Sequence, residues 1–186
     1  MDHLVEKTIR KEKIFSGKVV QLYVEDVQLP NGKTSKREVI KHPGAVAVIP
    51  ITKDGKLVLV RQYRKALERV LVEIPAGKLE KGEEPFASAQ RELEEETGYR
   101  AQSMRHIVSF YTSPGFADEL IHLYVAEGLE KLEDAASLDE DEFVDVLEVT
   151  LEEALKMLEK QEIYDAKTVY ALQYLQLRRV TGEKHV

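Results

Sequence analysis

The sequence contains no cysteine, and this absence excludes a disulfide framework, a thiolate zinc site and cysteine catalysis. A chain without cysteine also suits a reducing compartment. Residues 1–15 lack the apolar h-region of a signal peptide, and no stretch approaches the roughly 20 apolar residues of a membrane span. We therefore expect a cytoplasmic protein that has no membrane partner.

Positive charge is also scarce, because 27 Lys and Arg residues face 34 Asp and Glu residues and give a net charge of −7. Phosphate backbones are held by clustered Lys and Arg, so this balance disfavours a nucleic-acid partner. A small anionic substrate would need a metal ion as a bridge. The sequence has no H-E-x-x-H, G-x-S-x-G, P-loop or G-x-G-x-x-G motif and no internal repeat.

Two kinds of local order divide the chain near residue 43. Before it, "VVQLYVEDVQL" alternates apolar and polar residues, reaches the turn "PNGK" and continues through "TSKREVIKH". This pattern predicts an antiparallel hairpin in a small β subdomain, residues 1–43. Residues 44–180 are predicted to form one larger domain, and residues 181–186 a disordered tail.

The larger domain is predicted to mix strands and helices. Strands are expected on both sides of the turn Asp54-Gly55 and at about 101–110, 120–127 and 143–149. Helices are expected at 84–97, at 151–160 after a capping box formed by Thr150 and Glu153, and at 166–179. This order predicts a mixed α/β or α+β fold rather than the regular alternation of a doubly wound sheet.

Pro85 and Gly98 bound a predicted helix that carries an unusual concentration of negative charge. Glu92, Glu95 and Glu96, at i, i+3 and i+4, share about 100° of its surface, and each like-charged pair costs roughly 0.2–0.5 kcal/mol. Such a cluster is either a solvated acidic face or a cation site. Carboxylate oxygens suit Mg²⁺ or Mn²⁺. The three glutamates lie beside the predicted buried stripe of the helix, which consists of Phe86, Ala89 and Leu93.

The segment "GKLEKGEEPFASAQRELEEETGY", Gly77–Tyr99, has a defined spacing. It contains glycine, five residues, glutamate, seven residues, Arg-Glu, an aliphatic residue, any residue, Glu-Glu, any residue, glycine and a bulky apolar residue. In this spacing it resembles the Nudix box in full. The closing helices and "SPG" at 113–115 also resemble the ADP-ribose pyrophosphatase branch, in which a proline lies where Pro114 does.

The resemblance implies an α+β fold, an α/β/α sandwich around a mixed β-sheet, which carries the small N-terminal antiparallel subdomain. It implies hydrolysis of a nucleoside diphosphate linked to another moiety, with ADP-ribose split into AMP and ribose 5-phosphate. The cofactor that it implies is Mg²⁺ or Mn²⁺.

The resemblance also implies roles for individual residues. The expected metal ligands are the Ala76 carbonyl and the carboxylates of Glu92, Glu95, Glu96 and Glu142. Glu95 is either a ligand or a partner of the ligands, and it joins the general base in the expected catalytic set. Gly77 permits the tight approach at Ala76. Glu83 and Arg91 are the expected supporting pair, which fixes the loop against the helix.

The resemblance to the ADP-ribose pyrophosphatase branch further implies that the general base is a glutamate on a loop after the box, followed two residues later by a glutamate that binds metal. The segment "SLDEDEFVDV" supplies Glu140 as the base and, two residues later, Glu142 as the ligand, on one side of the chain if the segment is extended. Asp139 and Asp141 remain alternatives, as does a solvated acidic loop. An EF-hand fits poorly because the loop lacks the required glycine.

The remaining expected positions contact the substrate. Arg37 and Arg64 are assigned to the diphosphate or adenine side, Glu38 to the adenine side and Glu119 to the terminal ribose. Pro114 and Gly115 complete this set. An arginine can bind phosphate through two parallel hydrogen bonds, so the residue type suits the first pair.

Base specificity is the point at which the chain departs from the family. Members stack adenine on an aromatic side chain from the N-terminal strands, where this sequence has Lys18 and Val19. Phe15, Tyr23 or a residue from a second subunit are the possible replacements.

Three functions compete at this point. They are an ADP-ribose diphosphatase, a hydrolase of nucleotide sugars or dinucleoside polyphosphates, and a non-catalytic ADP-ribose sensor. The complete carboxylate set disfavours the sensor. A small β subdomain with few core positions favours packing on a partner, and in this branch it forms dimers, so we expect a homodimer.

Overall fold

The computed structural model describes residues 2–133 and 143–182, and the chain divides into two units. The first comprises Met1–Gly44 and Phe110–Ile121, and the second comprises Ala45–Ser109 and His122–Val186. The expected division after residue 43 assigned 110–121 to the larger domain, whereas the structure groups them with the N-terminal strands. No helix among the described residues is long and apolar enough to cross a membrane.

The first unit contains a three-stranded antiparallel sheet in the order β1-β2-β3. A short 3₁₀ helix, Asp2–Leu4, precedes the strands β1 (Lys7–Ser16), β2 (Gln21–Gln28) and β3 (Thr34–Lys41). The predicted hairpin is confirmed as β2 and β3. Gly32 has φ +82 in the intervening turn, a conformation that favours glycine.

Strand β1 was not predicted, and its composition explains why. All ten of its residues are exposed, including the apolar Ile9, Ile14 and Phe15. These residues do not alternate with polar ones, so the strand lacks the period of two that indicates a half-buried strand.

The larger sheet has seven strands, with the path β12-β5-β4-β10-β9 and with β6 on β5 and β7 on β4. The strands are β4 (Ala45–Ile51), β5 (Leu57–Arg64), β6 (Arg69–Glu73), β7 (Ala76–Lys78), β9 (Ser103–Tyr111), β10 (Leu120–Glu127) and β12 (Val144–Val149). A separate two-stranded sheet pairs β8 (Tyr99–Arg100) with β11 (Glu130–Lys131). The α+β class is confirmed. The short strands β6, β7, β8 and β11 were missed, because two to five residues give little periodic signal.

The three predicted helices are confirmed as α1 (Pro85–Thr97), α2 (Leu151–Glu159) and α3 (Ala166–Thr181). The capping box of α2 is present, with Glu153 N–H donating to Thr150 Oγ1 and Thr150 N–H donating to Glu153 Oε2. Helix α3 continues past the expected end at 179 and includes residue 181, which was assigned to the tail. Residues 183–186 of that tail lie outside the described residues.

The core is formed by β4, all of whose residues are buried, and by the first half of β5. Ala89 and Leu93 of α1 pack into it, as predicted. Phe86 does not, because it is 46% exposed, and its ring forms a T-shaped contact with that of Tyr124 at 6.0 Å between ring centres. The expected stripe is therefore wrong at its first member.

Candidate active site

Helix α1 ends where its sequence predicts. Pro85 occupies its first turn, and Gly98 adopts the left-handed conformation at φ 70, from which its N–H donates to the Glu94 carbonyl at 3.0 Å. Only a residue that tolerates positive φ closes a helix in this way. The three glutamates of interest thus lie in the last two turns, next to β7.

Glu92 packs directly on Gly77. A Cβ atom at position 77 would lie 1.9 Å from the Glu92 Cδ and 2.0 Å from its Oε1, so no other residue type fits without moving the carboxylate. Glu92 is 9% exposed. Gly77 therefore leaves room for a carboxylate of the helix, whereas the expected approach of a metal ion to the Ala76 carbonyl stays a prediction.

Glu96 lies beside Ala76, the residue that precedes Gly77. Its Oε2 accepts a hydrogen bond from the Ala76 N–H at 2.9 Å, and the side chain is 5% exposed. Two of the three glutamates therefore face Ala76 and Gly77, at the start of β7, and do not form a solvated face. Buried carboxylates require compensating hydrogen bonds or charges, which this arrangement begins to supply.

Arg91 supplies part of the compensation. Its guanidinium donates two hydrogen bonds of 3.0 Å to Glu83, and its Nη1 lies 2.8 Å from both Glu92 Oε1 and Glu95 Oε2. The hydrogen bonds from Arg91 lower the pKa of Glu83 to about 2, and the contact with Glu83 raises the pKa of Arg91. The expected pair of Glu83 and Arg91 is in contact, and it also offsets the repulsion between the helix carboxylates.

The donor chemistry fits a hard divalent cation, because the side chains of Glu92, Glu95 and Glu96 offer only oxygen. Within residues 2–133 and 143–182, no three His, Asp or Glu side chains converge closely enough to hold an ion by themselves. Arg91 contacts two of the three carboxylates. Glu142, the further ligand, and Glu140, the expected base, both lie outside the described residues, so their roles stay predictions.

A cavity of about 570 Å³ adjoins the carboxyl end of α1. Its wall includes Glu95, Glu96, Tyr99, Lys131, Val144 and Glu148. The Tyr99 hydroxyl donates to Glu148 Oε1 at 2.5 Å, and this hydrogen bond raises the pKa of Tyr99 to about 12. No local pattern predicts this pair, because its two residues lie 49 positions apart in the chain.

Arg64 is held by an ionic cluster in the second unit. It donates to both oxygens of Glu73, at 2.8 and 2.7 Å, and Lys167 also contacts Glu73 and lies 2.9 Å from Asp165. Burial raises the pKa of Glu73, but the hydrogen bonds from Arg64 and the charge of Lys167 outweigh it and lower that pKa to about 2. Sequence reasoning found Arg64 but missed the three other members of the cluster, of which only Asp165 had a local signal, as the N-cap of α3.

The other expected substrate contacts lie in the first unit. Arg37 and Glu38 are neighbours on β3 and so point to opposite faces of its sheet. Arg37 is bound to Glu6 by hydrogen bonds of 2.9 and 2.6 Å, which raise the pKa of Arg37. Glu38 is exposed.

The "SPG" segment is fixed to β3. Ile40 N–H donates to the Phe116 carbonyl at 2.7 Å, and Asp118 N–H donates to the Ile40 carbonyl at 3.2 Å. Glu119 accepts from the Thr112 hydroxyl at 2.5 Å, and its Oε1 lies 3.7 Å from His42 Nε2. Pro114 and Gly115 are exposed in this loop.

Tyr23 and Phe15, the two residues of this chain that could replace the adenine-stacking aromatic, differ in how accessible their rings are. The ring of Tyr23 is covered by Lys11, at 4.0 Å, and its hydroxyl donates to Gln21. Phe15 is exposed and folds over Gly17, where an added Cβ would lie 2.8 Å from the ring. Of the two, Phe15 has the more accessible face.

Comparisons with known proteins agree with this geometry. The family model for the NUDIX domain matches residues 41–172. An ADP-ribose pyrophosphatase of Bacillus subtilis (strain 168) is 67% identical over 178 residues, 96% of each chain. A methanol dehydrogenase activator of Bacillus methanolicus is 65% identical over 96% of this chain and 97% of its own.

A solved structure shares the fold. The crystal structure of an ADP compounds hydrolase superposes with a TM-score of 0.83 and covers 97% of both chains, at 23% identity. At that identity the likeness concerns the fold alone.

Proposed function

Because the chain belongs to the NUDIX family, we propose that it hydrolyses the diphosphate of ADP-ribose to AMP and ribose 5-phosphate, with Mg²⁺ or Mn²⁺ as cofactor. The observation that carries the proposal is the inward placement of Glu92 and Glu96 against Ala76 and Gly77. Burying two like charges there disfavours folding, and a bound cation would offset that cost. The name of the Bacillus subtilis relative supports ADP-ribose as the substrate.

The metal would be held by Glu92, Glu96 and the Ala76 carbonyl, with Glu142 as a further ligand and Glu95 as a ligand or partner of the ligands. A bound divalent ion polarises phosphoryl oxygens and lowers the pKa of a coordinated water. In this structure Arg91 forms ion pairs with Glu83, Glu92 and Glu95. On metal binding we expect Arg91 to keep Glu83 and to release its other two carboxylates.

The chain's own residues would orient the substrate and move the proton. Glu140 takes a proton from the attacking water, and Arg64 and Arg37 bind the phosphates or the adenine side. Glu119, held by the Thr112 hydroxyl, meets the terminal ribose. Glu38, Pro114 and Gly115 complete the substrate contacts.

A second candidate is hydrolysis of a different nucleoside diphosphate derivative, such as a nucleotide sugar. The observation that favours it is the absence of an aromatic residue at Lys18 and Val19, which leaves Phe15 as the accessible ring for stacking on the base. A stacked base contributes about 1–3 kcal/mol, so the choice of base depends on which ring is present.

We propose in addition that the N-terminal subdomain forms a homodimer. Strand β1 lies at the edge of its sheet and exposes Ile9, Ile14 and Phe15. An exposed edge with apolar side chains is a template for pairing with another chain. Light scattering after size exclusion would give twice the 21.2 kDa chain mass, and Ile14→Lys should shift it toward the monomer. A monomeric wild-type protein would contradict this.

Turnover of a substrate panel tests the main proposal. ADP-ribose, ADP-glucose, a GDP-sugar and diadenosine polyphosphate are compared with Mg²⁺, with Mn²⁺ and in excess EDTA. We expect ADP-ribose to have the highest kcat/KM and EDTA to abolish turnover. A higher kcat/KM for another member of the panel would favour the second candidate, and full turnover in EDTA would refute both.

A matched pair of variants assigns the activity to the helix face. Glu96→Gln should remove most of the turnover, whereas Glu94→Gln should change it less than about twofold. Glu94 lies on the same helix but bonds Arg100, at 2.6 and 2.8 Å, and has no part in the proposed site. Equal losses would show that the charge of the helix matters and its inner face does not.

A further inference from the structure

The segment that joins β6 to β7 positions the proposed metal-binding backbone, and it belongs to no regular element. The pairing of β6 with β5 ends at Glu73, opposite Val60. Ile74 and Pro75 follow, and β7 begins at Ala76. The carbonyl of Ala76 can therefore serve as a ligand only if this irregular stretch is fixed by contacts from elsewhere.

One of those contacts comes from the first turn of α3. The Ile74 N–H donates to Thr168 Oγ1 at 2.9 Å, and both residues are fully buried. A buried amide with no acceptor costs about 1–3 kcal/mol. Because the strand pairing has already ended, Thr168 supplies the partner that the sheet does not.

The next two residues are fixed in turn. The Pro75 carbonyl accepts from Val48 N–H at 2.9 Å, and the Ala76 N–H donates to Glu96 Oε2 at 2.9 Å. The segment is thus held at Ile74 by α3, at Pro75 by β4 and at Ala76 by α1. A shift at Ile74 would be transmitted over two residues of backbone to the Ala76 carbonyl and to Glu96.

The first turn of α3 is itself rigidly placed. Asp165 caps the helix by accepting from Thr168 N–H at 3.2 Å, and it also accepts from Lys167 Nζ. Lys167 in turn contacts Glu73, the residue before Ile74, which Arg64 holds from the other side. The first turn of α3 therefore contacts two successive residues: Lys167 contacts the side chain of Glu73, and Thr168 accepts from the backbone N–H of Ile74.

From these contacts we propose that Thr168 is a positioning residue for the metal site, acting through the Ile74 amide on Ala76 and Glu96. The inference rests on the proposed function, since it assumes that a divalent ion binds at the Ala76 carbonyl, at the start of β7. Thr168 touches neither the ion nor the substrate. Residues of this kind, which orient the ligands of a metal, typically change affinity 10- to 100-fold when they are lost.

Two substitutions separate the hydrogen bond from the packing. Thr168→Val keeps the shape of the side chain but removes the acceptor, whereas Thr168→Ser keeps the acceptor and removes a methyl group. Mn²⁺ alone is titrated into each protein without substrate, and free Mn²⁺ is followed by electron paramagnetic resonance. We expect Thr168→Val to weaken Mn²⁺ binding about 10-fold or more, and Thr168→Ser to stay within about threefold of the wild-type value.

The outcomes distinguish the two claims. If the wild-type protein binds no Mn²⁺, the proposed function and this inference both fail. If it binds Mn²⁺ and Thr168→Val binds equally well, or if Thr168→Ser loses as much as Thr168→Val, the inference alone is overturned. Thermal unfolding of both variants reports their packing cost, which a purely structural role would show without a change in Mn²⁺ affinity.

A measurement on the wild-type protein covers the case in which Thr168→Val does not fold. Amide hydrogen exchange of Ile74 is compared with that of Leu59, in the middle of β5, with and without Mg²⁺. Coupling through the Thr168 hydrogen bond predicts that Mg²⁺ slows exchange at Ile74 more than at Leu59. Equal slowing at the two amides would reflect global stabilisation only and would overturn the inference.

Discussion

Replacing Gly77 by alanine should destabilise the protein through a single side chain, that of Glu92. The added Cβ would lie 1.9 Å from the Glu92 Cδ, whereas two carbon atoms normally rest about 3.5–4.0 Å apart. The carboxylate must therefore move by more than about 1 Å, or strand β7 must shift. Overpacking of this kind costs about 1–3 kcal/mol.

The backbone conformation of Gly77 is compatible with alanine, so any cost of Gly77→Ala should come from the clash with Glu92. The φ angle of Gly77 is not positive, so alanine can adopt its backbone conformation without strain. Alanine at a compatible glycine position stabilises a protein by about 0.4–1 kcal/mol, because it restricts the unfolded chain. In a Glu92→Ala background the clash is gone, and Gly77→Ala should be neutral or stabilising.

Urea unfolding of the four proteins in this double-mutant cycle measures the effect. We expect Gly77→Ala to lower the free energy of unfolding in the wild-type background and to leave it unchanged or raise it when Glu92 is alanine. The difference should be at least about 1 kcal/mol. An equal cost in both backgrounds would refute the contact between these two residues.

Three further predictions concern the charged residues. Glu96→Gln should remove most of the Mg²⁺-dependent turnover without unfolding α1, because losing one charge relieves repulsion on the helix; circular dichroism that shows a lost helix would contradict this. Glu140→Gln should lower kcat about 10²–10⁴-fold with little change in metal affinity, while Glu142→Gln should weaken metal binding; near-normal kcat in both would place the base elsewhere. Glu73 has a pKa of about 2 in the folded protein against an ordinary 4.5, so its ionic contacts stabilise the fold fully above about pH 4.5 and are lost as the pH falls toward 2. Glu73→Gln should therefore cost roughly 3 kcal/mol near pH 7 and progressively less below pH 4.5, and a pH-independent cost in urea unfolding would argue against the ion pairs.

The box residues could be predicted because their signals are local. Spacing alone gave the helix bounds at Pro85 and Gly98 and placed three glutamates on one face. The resemblance to the Nudix box implied the pair of Glu83 and Arg91, which the structure shows in contact. Each of these features depends on residues no more than about two helical turns apart.

Burial on the same helix was less predictable. A hydrophobic stripe was expected to begin at Phe86, yet the buried positions of α1 include Ser88, Glu92 and Glu96. The two glutamates are buried because Gly77 leaves room for the Glu92 carboxylate and Ala76 offers its N–H to Glu96. Residue hydrophobicity carries no information about either contact.

The contacts that hold the site in place could not be predicted from the sequence, because they join residues that are distant in the chain. Lys167 meets Glu73, and Thr168 meets Ile74, across 94 residues in each case. Neither residue belongs to a motif that a single sequence reveals. Their positions follow from the packing of α3 against the end of β6, which only the folded chain defines.

A single turnover of ADP-ribose in ¹⁸O-labelled water tests the central claim most directly. The carboxylate site offers a metal-bound route to attack on phosphorus, so the products should be AMP and ribose 5-phosphate with the label in a phosphate group of one of them. AMP offered alone should be inert, because it lacks the second phosphoryl group. ADP together with labelled ribose would instead place the cleavage at the sugar and contradict the account.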